Sequence, residues 1–548
     1  MSAIGKWWAR LAASDRLAIF LILLLAGALR VRGIGFLLPY FEYGPDERLF
    51  LEKALNMLKT GDLNPHLFIY GSFLFYFLAF IFLLYFGGQW LFFGGESRFP
   101  ELIANFNYAD HNYILLYLGR FSSLGFGLAS IYLVYAIGKR LGGRRAGLLS
   151  ALFLALSPFH IFISQILKVD SALAFFVLFS FYFSLKLYDS PDLGSYLWSG
   201  VGAGMALATK YNMISFLPII AAHFLSPHRR GKGGITIFDL RLALSLYLGV
   251  MTLALTSPYI FLDFRGFTHG LDLLAVMAEN NVFFQLDSQG WIPVRYLYQL
   301  FILFPFLLGI PLYPVFFAGV YYLGKNNFKL GIIFIVFPVF YFLLSGVSKL
   351  VQFQYQLPIL PFAAMGAAVF LAEYIPAANP AKRKWGWLTL VLILLFDFSN
   401  LAVPHFSTLF SAYENCGQWV EGHLPAEKKV LSYYWVFSPT PRICGENCEN
   451  IVFPRGSTTQ RILSREPDYL VLAYSDIFNG QGFGDYAEVY YRLEKGSPGN
   501  RLKYEVIKEF KMPALWEKLA GILYREMRGF RITVFARQRA GEIPDAQP

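Results

Sequence analysis

Charge is scarce in this chain of 548 residues: Asp, Glu, Lys and Arg make up 15% of it, against 56% hydrophobic residues. That balance excludes intrinsic disorder, a collagen-like fibre and an ordinary soluble enzyme. Cysteine is scarcer still; three residues are too few for a disulfide scaffold. The eight histidines show no His-x-x-x-His or His-Glu-x-x-His spacing, so a zinc-hydrolase reading has no support. No repeat of the kind that marks secondary transporters is visible. What the chain does have is 57 Phe, 34 Tyr and apolar runs of eighteen or more residues along its first four hundred positions. These describe an α-helical polytopic membrane protein embedded in the lipid bilayer. The net charge of +11 is then a matter of loop distribution, with no nucleic acid implied.

Lys6, Arg10 and Arg16 precede the first apolar stretch, Leu17 to about Leu38, and put the N-terminus in the cytoplasm. Leu17 to Leu25 followed by Ala26-Gly27-Ala28 resembles a signal peptide, but hydrophobicity resumes at Ile34, which favours an uncleaved span. Ten further candidate spans follow, from Tyr113–Ile137 and Ala146–Ile163 to Leu357–Ile375 and Trp385–Val403. Basic clusters at Lys139-Arg140 with Arg144-Arg145, Arg229-Arg230-Lys232, Lys325 with Lys329, and Lys382-Arg383-Lys384 all belong on the cytoplasmic side. Counting Ser72–Phe93 as a crossing would put Lys139–Arg145 outside, so it is expected to be an embedded or re-entrant helix of the first outer loop, 39–112. Thr209-Lys210-Tyr211-Asn212 interrupts Tyr196–Leu225, and one helix there would bury Lys210 at mid-membrane, so two short helices with Lys210 at the outer turn are expected. About eleven full crossings result. Residues 1–403 form the membrane domain, with a long outer loop at 261–295 whose lack of apolar periodicity suggests a lid.

From His405 the composition changes to strand-length apolar runs, Val430–Val436, Tyr469–Ala473 and Ile532–Phe535, between polar helical stretches. Residues 404–548 are therefore expected to be a soluble α/β domain outside the cytoplasmic membrane. All three cysteines lie in it, and a Cys444–Cys448 bridge is one option in an oxidising compartment.

On this topology, polar residues gather on the outer face: Glu42, Asp46, Glu47 and Arg48, then His160, Lys168 and Asp170, then Lys210, then Lys349. Carboxylates beside ammonium groups suit a substrate carrying both a phosphate and a hydroxyl to be deprotonated. A membrane position suits a lipid-linked one.

Gly44-Pro45-Asp46-Glu47, continued by Asn56 to Pro65, resembles the first outer loop of the C-type glycosyltransferases (the GT-C class), in the branch of protein O-mannosyltransferases and lipid A aminoarabinose transferases. The similarity continues through Gly119-Arg120-Phe121-Ser122-Ser123, Leu156 to His160, Ser164 to Ser171, Gly204 to Lys210, and Lys349 with Tyr355, Pro358 and Pro361. It implies transfer of a sugar from a polyprenyl-phosphate donor to an acceptor on the outer side, usually with inversion and without a nucleotide sugar. The acceptor, whether protein, lipid or glycan, stays open. By this resemblance Asp46 matches the catalytic base, with Glu47 beside it and Asp170 as the acid of the second outer loop. Lys210, Lys349, Lys168, Arg120 and Tyr70 are the expected contacts of the donor phosphate. The aminoarabinose branch has a Lys-Pro pair where this chain has His66-Leu67-Phe68-Ile69-Tyr70-Gly71, so the sugar is not implied. The sequence specifies no cofactor, and a divalent metal ion remains an option.

Plainer roles compete for the same residues. Asp46 and Asp170 each stand where an acid caps or begins a helix. Lys168 and Lys349 are placed to snorkel to headgroups, as are Arg30 and Arg32, while Arg120 is placed to pair with a loop carboxylate. The competing functions are a transporter or flippase of lipid-linked sugars, a polymerase or ligase using the same donors, and a member that binds lipid-linked sugar without turning it over. Charge gathered on one face, rather than at mid-membrane, speaks against transport.

Overall fold

The computed structural model describes residues 15–35, 38, 44–93, 99–106, 113–227, 239–280, 292–347, 353–377, 379–402, 411–425, 428–433, 448–451, 458–474, 486–494, 503–511 and 531–538. Among them, five helices are long and apolar enough to cross a membrane: Phe73–Phe92, Ile114–Leu156, Val169–Asp189, Phe328–Val347 and Gln354–Tyr374. A sixth is added if Arg295–Leu308 and Leu312–Asn326, bent by 102° at a break, are one span. Length and composition thus give fewer spans than the eleven passages expected, for physical reasons. Leu240–Thr256 and Met213–Leu225 are short, and the first helix, Asp15–Val31, has 17 residues. The 43-residue Ile114–Leu156 helix contains two passages in one.

That helix doubles back at Gly142-Gly143, where Gly143 takes φ +78°. A Cβ on Gly147 would lie 2.7 Å from the Tyr135 carbonyl oxygen, and one on Gly138 would lie 2.5 Å from Ser150 Oγ. Residues twelve apart on a straight helix stand about 18 Å from one another, so the halves are antiparallel and the glycines permit their close approach. The turn of this hairpin is the Lys139–Arg145 basic cluster.

Ion pairs at helix ends define one face of the bundle. Asp15 meets Lys139 and Arg144, and Arg140 meets Asp189. Arg241 donates to the Pro191 carbonyl at 2.7 Å, and Tyr188 bonds Asn327, the turn between Leu312–Asn326 and Phe328–Val347. Lys325 and Lys329 flank that turn. These basic turns share one face, as positive-inside bias requires. Phe20, Leu24, Leu84, Phe92, Leu344 and Leu395 lie exposed along the helices, an apolar belt suited to lipid.

The Phe73–Phe93 helix is held by contacts at its start and along its second half. Ser72 N–H donates to Ser257 Oγ at 2.9 Å just beyond the Leu240–Thr256 helix. Phe86 packs on Phe106, whose carbonyl receives Lys59 Nζ at 2.8 Å. The expected loop at 261–295 is partly helical: Tyr259–Leu262 and Phe264–Asn280 precede residues 281–291, which lie outside the described ones, and the helix Ile292–Tyr298 follows. Phe267 of the longer helix packs edge-on against Phe68 and Tyr211.

From Ser411 onward short helices surround a five-stranded sheet of order β2-β1-β3-β5-β4. Strands β1 (Val430–Tyr433), β2 (Cys448–Ile451) and β3 (Tyr469–Tyr474) run parallel, and β5 (Arg531–Arg537) joins β3 and β4 (Tyr504–Lys511) antiparallel. Cys416 is a buried free thiol; Cys444 lies outside the described residues, and with it the optional Cys444–Cys448 bridge.

Candidate active site

Three helix ends converge at the face opposite the basic turns. Asp46 lies in the first turn of the Gly44–Thr60 helix, where a carboxylate favours the helix dipole. Lys168 occupies the N-cap position of Val169–Asp189 in extended conformation, without a side-chain cap. Asp170 therefore does not cap this helix. Lys210 ends the Leu193–Lys210 helix, which is broken by Tyr211 in the left-handed region at φ 49°. A 3₁₀ turn, Met213–Phe216, follows, capped by Asn212 Oδ1 on Ile214 N–H.

Two acid–ammonium pairs form the centre. Lys168 Nζ is 3.3 Å from Asp46 Oδ2, and Lys210 Nζ donates to Asp170 Oδ1 at 2.6 Å. Asp46 is about a quarter exposed, whereas Asp170 is 3% exposed. Lys168 lies in the fields of both carboxylates and of Tyr355, so the pairs are neighbours in one cluster. Lys210 Nζ also sits 4.1 Å from the centre of the Tyr355 ring, a cation–π contact. Tyr70 OH points at Asp46 Oδ2 from 3.4 Å, too long for a strong bond.

The segment Phe68–Gly71 is pinned so that Tyr70 stays there. Tyr211 OH shares its one proton between the Tyr70 and Phe68 carbonyls, at 2.9 and 3.1 Å. Gly71 presses on the Leu193–Lys210 helix so closely that a Cβ would lie 1.9 Å from the Ala208 oxygen. Only glycine fits that approach.

Glu47 and Arg120, expected in the catalytic and phosphate-binding sets, are turned away from this cluster. Both side chains are 0% exposed, and Arg120 Nε and Nη2 form a bidentate pair with Glu47 at 2.9 and 2.8 Å. Glu47 Oε1 also receives Leu167 N–H at 2.7 Å, and Arg120 Nη1 donates to the Ile34 carbonyl at 2.9 Å. This buried pair ties the start of the Gly44–Thr60 helix to the residue before Lys168. Arg30 likewise does not snorkel. It is fully buried, donating to the Ala26 and Ala155 carbonyls at 2.9 and 3.2 Å and meeting His160 Nδ1 at 2.7 Å. The carbonyls at the end of the hairpin give its charge a favourable seat. Lys349 and Glu42 lie outside the described residues.

Tyr355 was legible only as part of the Tyr-x-x-Pro-x-x-Pro segment; that its ring carries Lys210 was not. Tyr341 OH, donating to the Tyr355 carbonyl at 2.6 Å, had no signal in the sequence.

Residues 118–260 match the family model of dolichyl-phosphate-mannose-protein mannosyltransferases. Among solved structures, the chain is similar to ArnT from Cupriavidus metallidurans in the apo state, with 15% identity over 98% of both chains and a TM-score of 0.51. It is also similar to the same enzyme bound to undecaprenyl phosphate, with 15% identity, 99% of this chain and 100% of that one covered, and a TM-score of 0.50. No curated protein sequence matches significantly. The helical membrane region with its appended sheet is thus the fold of a C-type glycosyltransferase. The part of that fold that carries the mannosyltransferase family match is residues 118–260.

Proposed function

We propose that this protein is a membrane glycosyltransferase that moves a sugar from a polyprenyl-phosphate donor to an acceptor on the extracytoplasmic face, with inversion. The observation that carries this reading is the adjacency of two acid–ammonium pairs, Asp46–Lys168 and Asp170–Lys210, on one face of a lipid-exposed bundle. Basic turns on the other face orient the chain with that face in the cytoplasm and with residues 404–548 outside, beside the acceptor.

The acceptor hydroxyl attacks the anomeric carbon and passes its proton to Asp46. The bond from that carbon to the phosphate oxygen breaks, its electron pair leaving with the phosphate. Lys168 and Lys210 meet the charge that grows on the departing group. In the structure each lysine already faces a carboxylate, so an arriving phosphate competes for it. When Lys168 turns to the phosphate, Asp46 loses its 3.3 Å contact and becomes available as the base. Asp170, nearly buried, aims Lys210, and the Tyr355 ring supports the same ammonium from another side. Glu47 and Arg120 position Lys168 without touching substrate. Among the described residues no three His, Cys, Asp or Glu side chains converge.

The test is release of polyprenyl phosphate from a panel of polyprenyl-phosphate sugars by the purified protein in nanodiscs, comparing wild type with Asp46→Asn. One donor is expected to be consumed, naming the sugar, with turnover about 10²- to 10⁴-fold lower in the variant. If no donor is consumed while lipid-linked sugar still crosses proteoliposomes, the transferase reading fails in favour of transport.

A further inference from the structure

At the other end of the Val169–Asp189 helix lies a second polar site, unrelated to the first. Nineteen residues separate Asp170 from Asp189, roughly 28 Å along a helix, close to the hydrocarbon thickness of a bilayer. There a groove of about 460 Å³ opens between this helix, the start of Leu193–Lys210 and the hairpin turn, lined by Arg140, Lys186, Asp189, Asp192, Phe183 and Trp198 among others.

The charges in this groove are unequally satisfied. Asp189 is paired with Arg140. Asp192 receives Ser195 N–H at 2.9 Å and Ser195 Oγ–H at 2.7 Å. Lys186 is different: among the described residues no carboxylate lies within ion-pair distance of it, and its ammonium instead rests 5.0 and 5.2 Å from the Tyr182 and Phe183 ring centres. Beside it Trp198, 52% exposed, stacks on Phe183 at 6.2 Å and meets Phe179 edge-on at 6.1 Å. An aromatic wall thus runs from the groove along the lipid-facing side of the bundle.

We propose that this groove binds the headgroup of a glycerophospholipid, its phosphodiester on Lys186 and its acyl chains along Phe179, Phe183 and Trp198. One unsatisfied ammonium matches the single charge of a phosphodiester rather than the several charges of a polyphosphate. Trp at the membrane–water boundary and a basic group beside it are the general means by which a protein holds a headgroup. The site is independent of the transferase reading.

Native mass spectrometry of the full-length protein, delipidated in detergent and titrated with palmitoyl-oleoyl phosphatidylglycerol, tests the proposal. Wild type and Lys186→Arg are expected to retain one lipid, and Lys186→Gln to bind it at least tenfold more weakly. Dioleoylglycerol, which lacks the phosphate, is expected not to be retained, and millimolar inorganic phosphate not to displace the phospholipid. Equal binding by wild type and Lys186→Gln would overturn the assignment, as would equal retention of dioleoylglycerol. Full displacement by inorganic phosphate would make the ligand a free anion and overturn the lipid. Should Lys186→Gln not fold, Trp198→Ala, at an exposed position, must weaken the same binding.

Discussion

Removing the Glu47 carboxylate separates a structural acid from a catalytic one. In Glu47→Ala, the Arg120 guanidinium stays at 0% exposure without its bidentate partner, and Leu167 N–H loses its 2.7 Å acceptor. Breaking a buried ion pair from one side costs about 3–5 kcal/mol, and an orphaned buried amide about 1–3 more. Even the lower figure shifts the folding equilibrium more than a hundredfold. The expected result is a marked drop in the thermal midpoint in detergent, followed by tryptophan fluorescence, with activity lost in proportion to folded protein. The double variant Glu47→Met with Arg120→Met, which removes both charges and fills the space, should recover most of the lost stability, since well-packed apolar replacements of buried pairs are often neutral or better. A Glu47→Ala protein that melts like wild type yet turns over no donor would refute this account and return Glu47 to the chemistry.

Other perturbations report on the cluster and its supports. Lys210→Met removes a cation from Asp170 and from the Tyr355 ring; donor affinity should weaken about tenfold or more while acceptor affinity holds, checked by donor titration of turnover. Gly71→Ala cannot keep its 1.9 Å approach to Ala208, so the loop must retreat and carry Tyr70 from Asp46; a stability loss of about 1–3 kcal/mol with reduced turnover is expected in melting and activity assays. Burial raises the Cys416 thiol well above its ordinary value, so it stays protonated at pH 8 and becomes reactive only at higher pH or on unfolding. Maleimide labelling of the native protein should therefore be the same in wild type and Cys416→Ser, and differ by one label in denaturant.

Much of the architecture was legible because the bilayer imposes simple rules. Apolar length located the long helices, though fewer of them pass as spans than the eleven expected; basic residues located turns on one face, and the strand-length runs at Val430, Tyr469 and Ile532 became β1, β3 and β5. The convergence of Asp46, Lys168, Asp170 and Lys210 was also foreseeable, since each stood at the same end of a predicted span. What could not be read was direction around a helix. Asp46 and Glu47 are neighbours in sequence but point about 100° apart, and the residue that faces a cavity differs from the one that enters the core only through what packs beside them. Arg30 was misjudged for the same reason: its place near a span end fits snorkelling equally well, and only the hairpin carbonyls and His160 decide the matter. Strand order was equally hidden, because β5 enters beside β3 from the far end of the chain.

The Glu47–Arg120 pair also has a history during synthesis. The two residues are 73 positions apart, so at about 5–20 residues per second roughly 4–15 s pass between the emergence of the acid and that of its counter-ion. Through that interval Glu47 has no Arg120 to pair with, and the Gly44–Thr60 helix cannot take its final seat against the bundle. Leu167, whose amide completes the contact, comes later still. The loop that carries Asp46 is thus translated early but closed late, by a helix that did not yet exist when it left the ribosome.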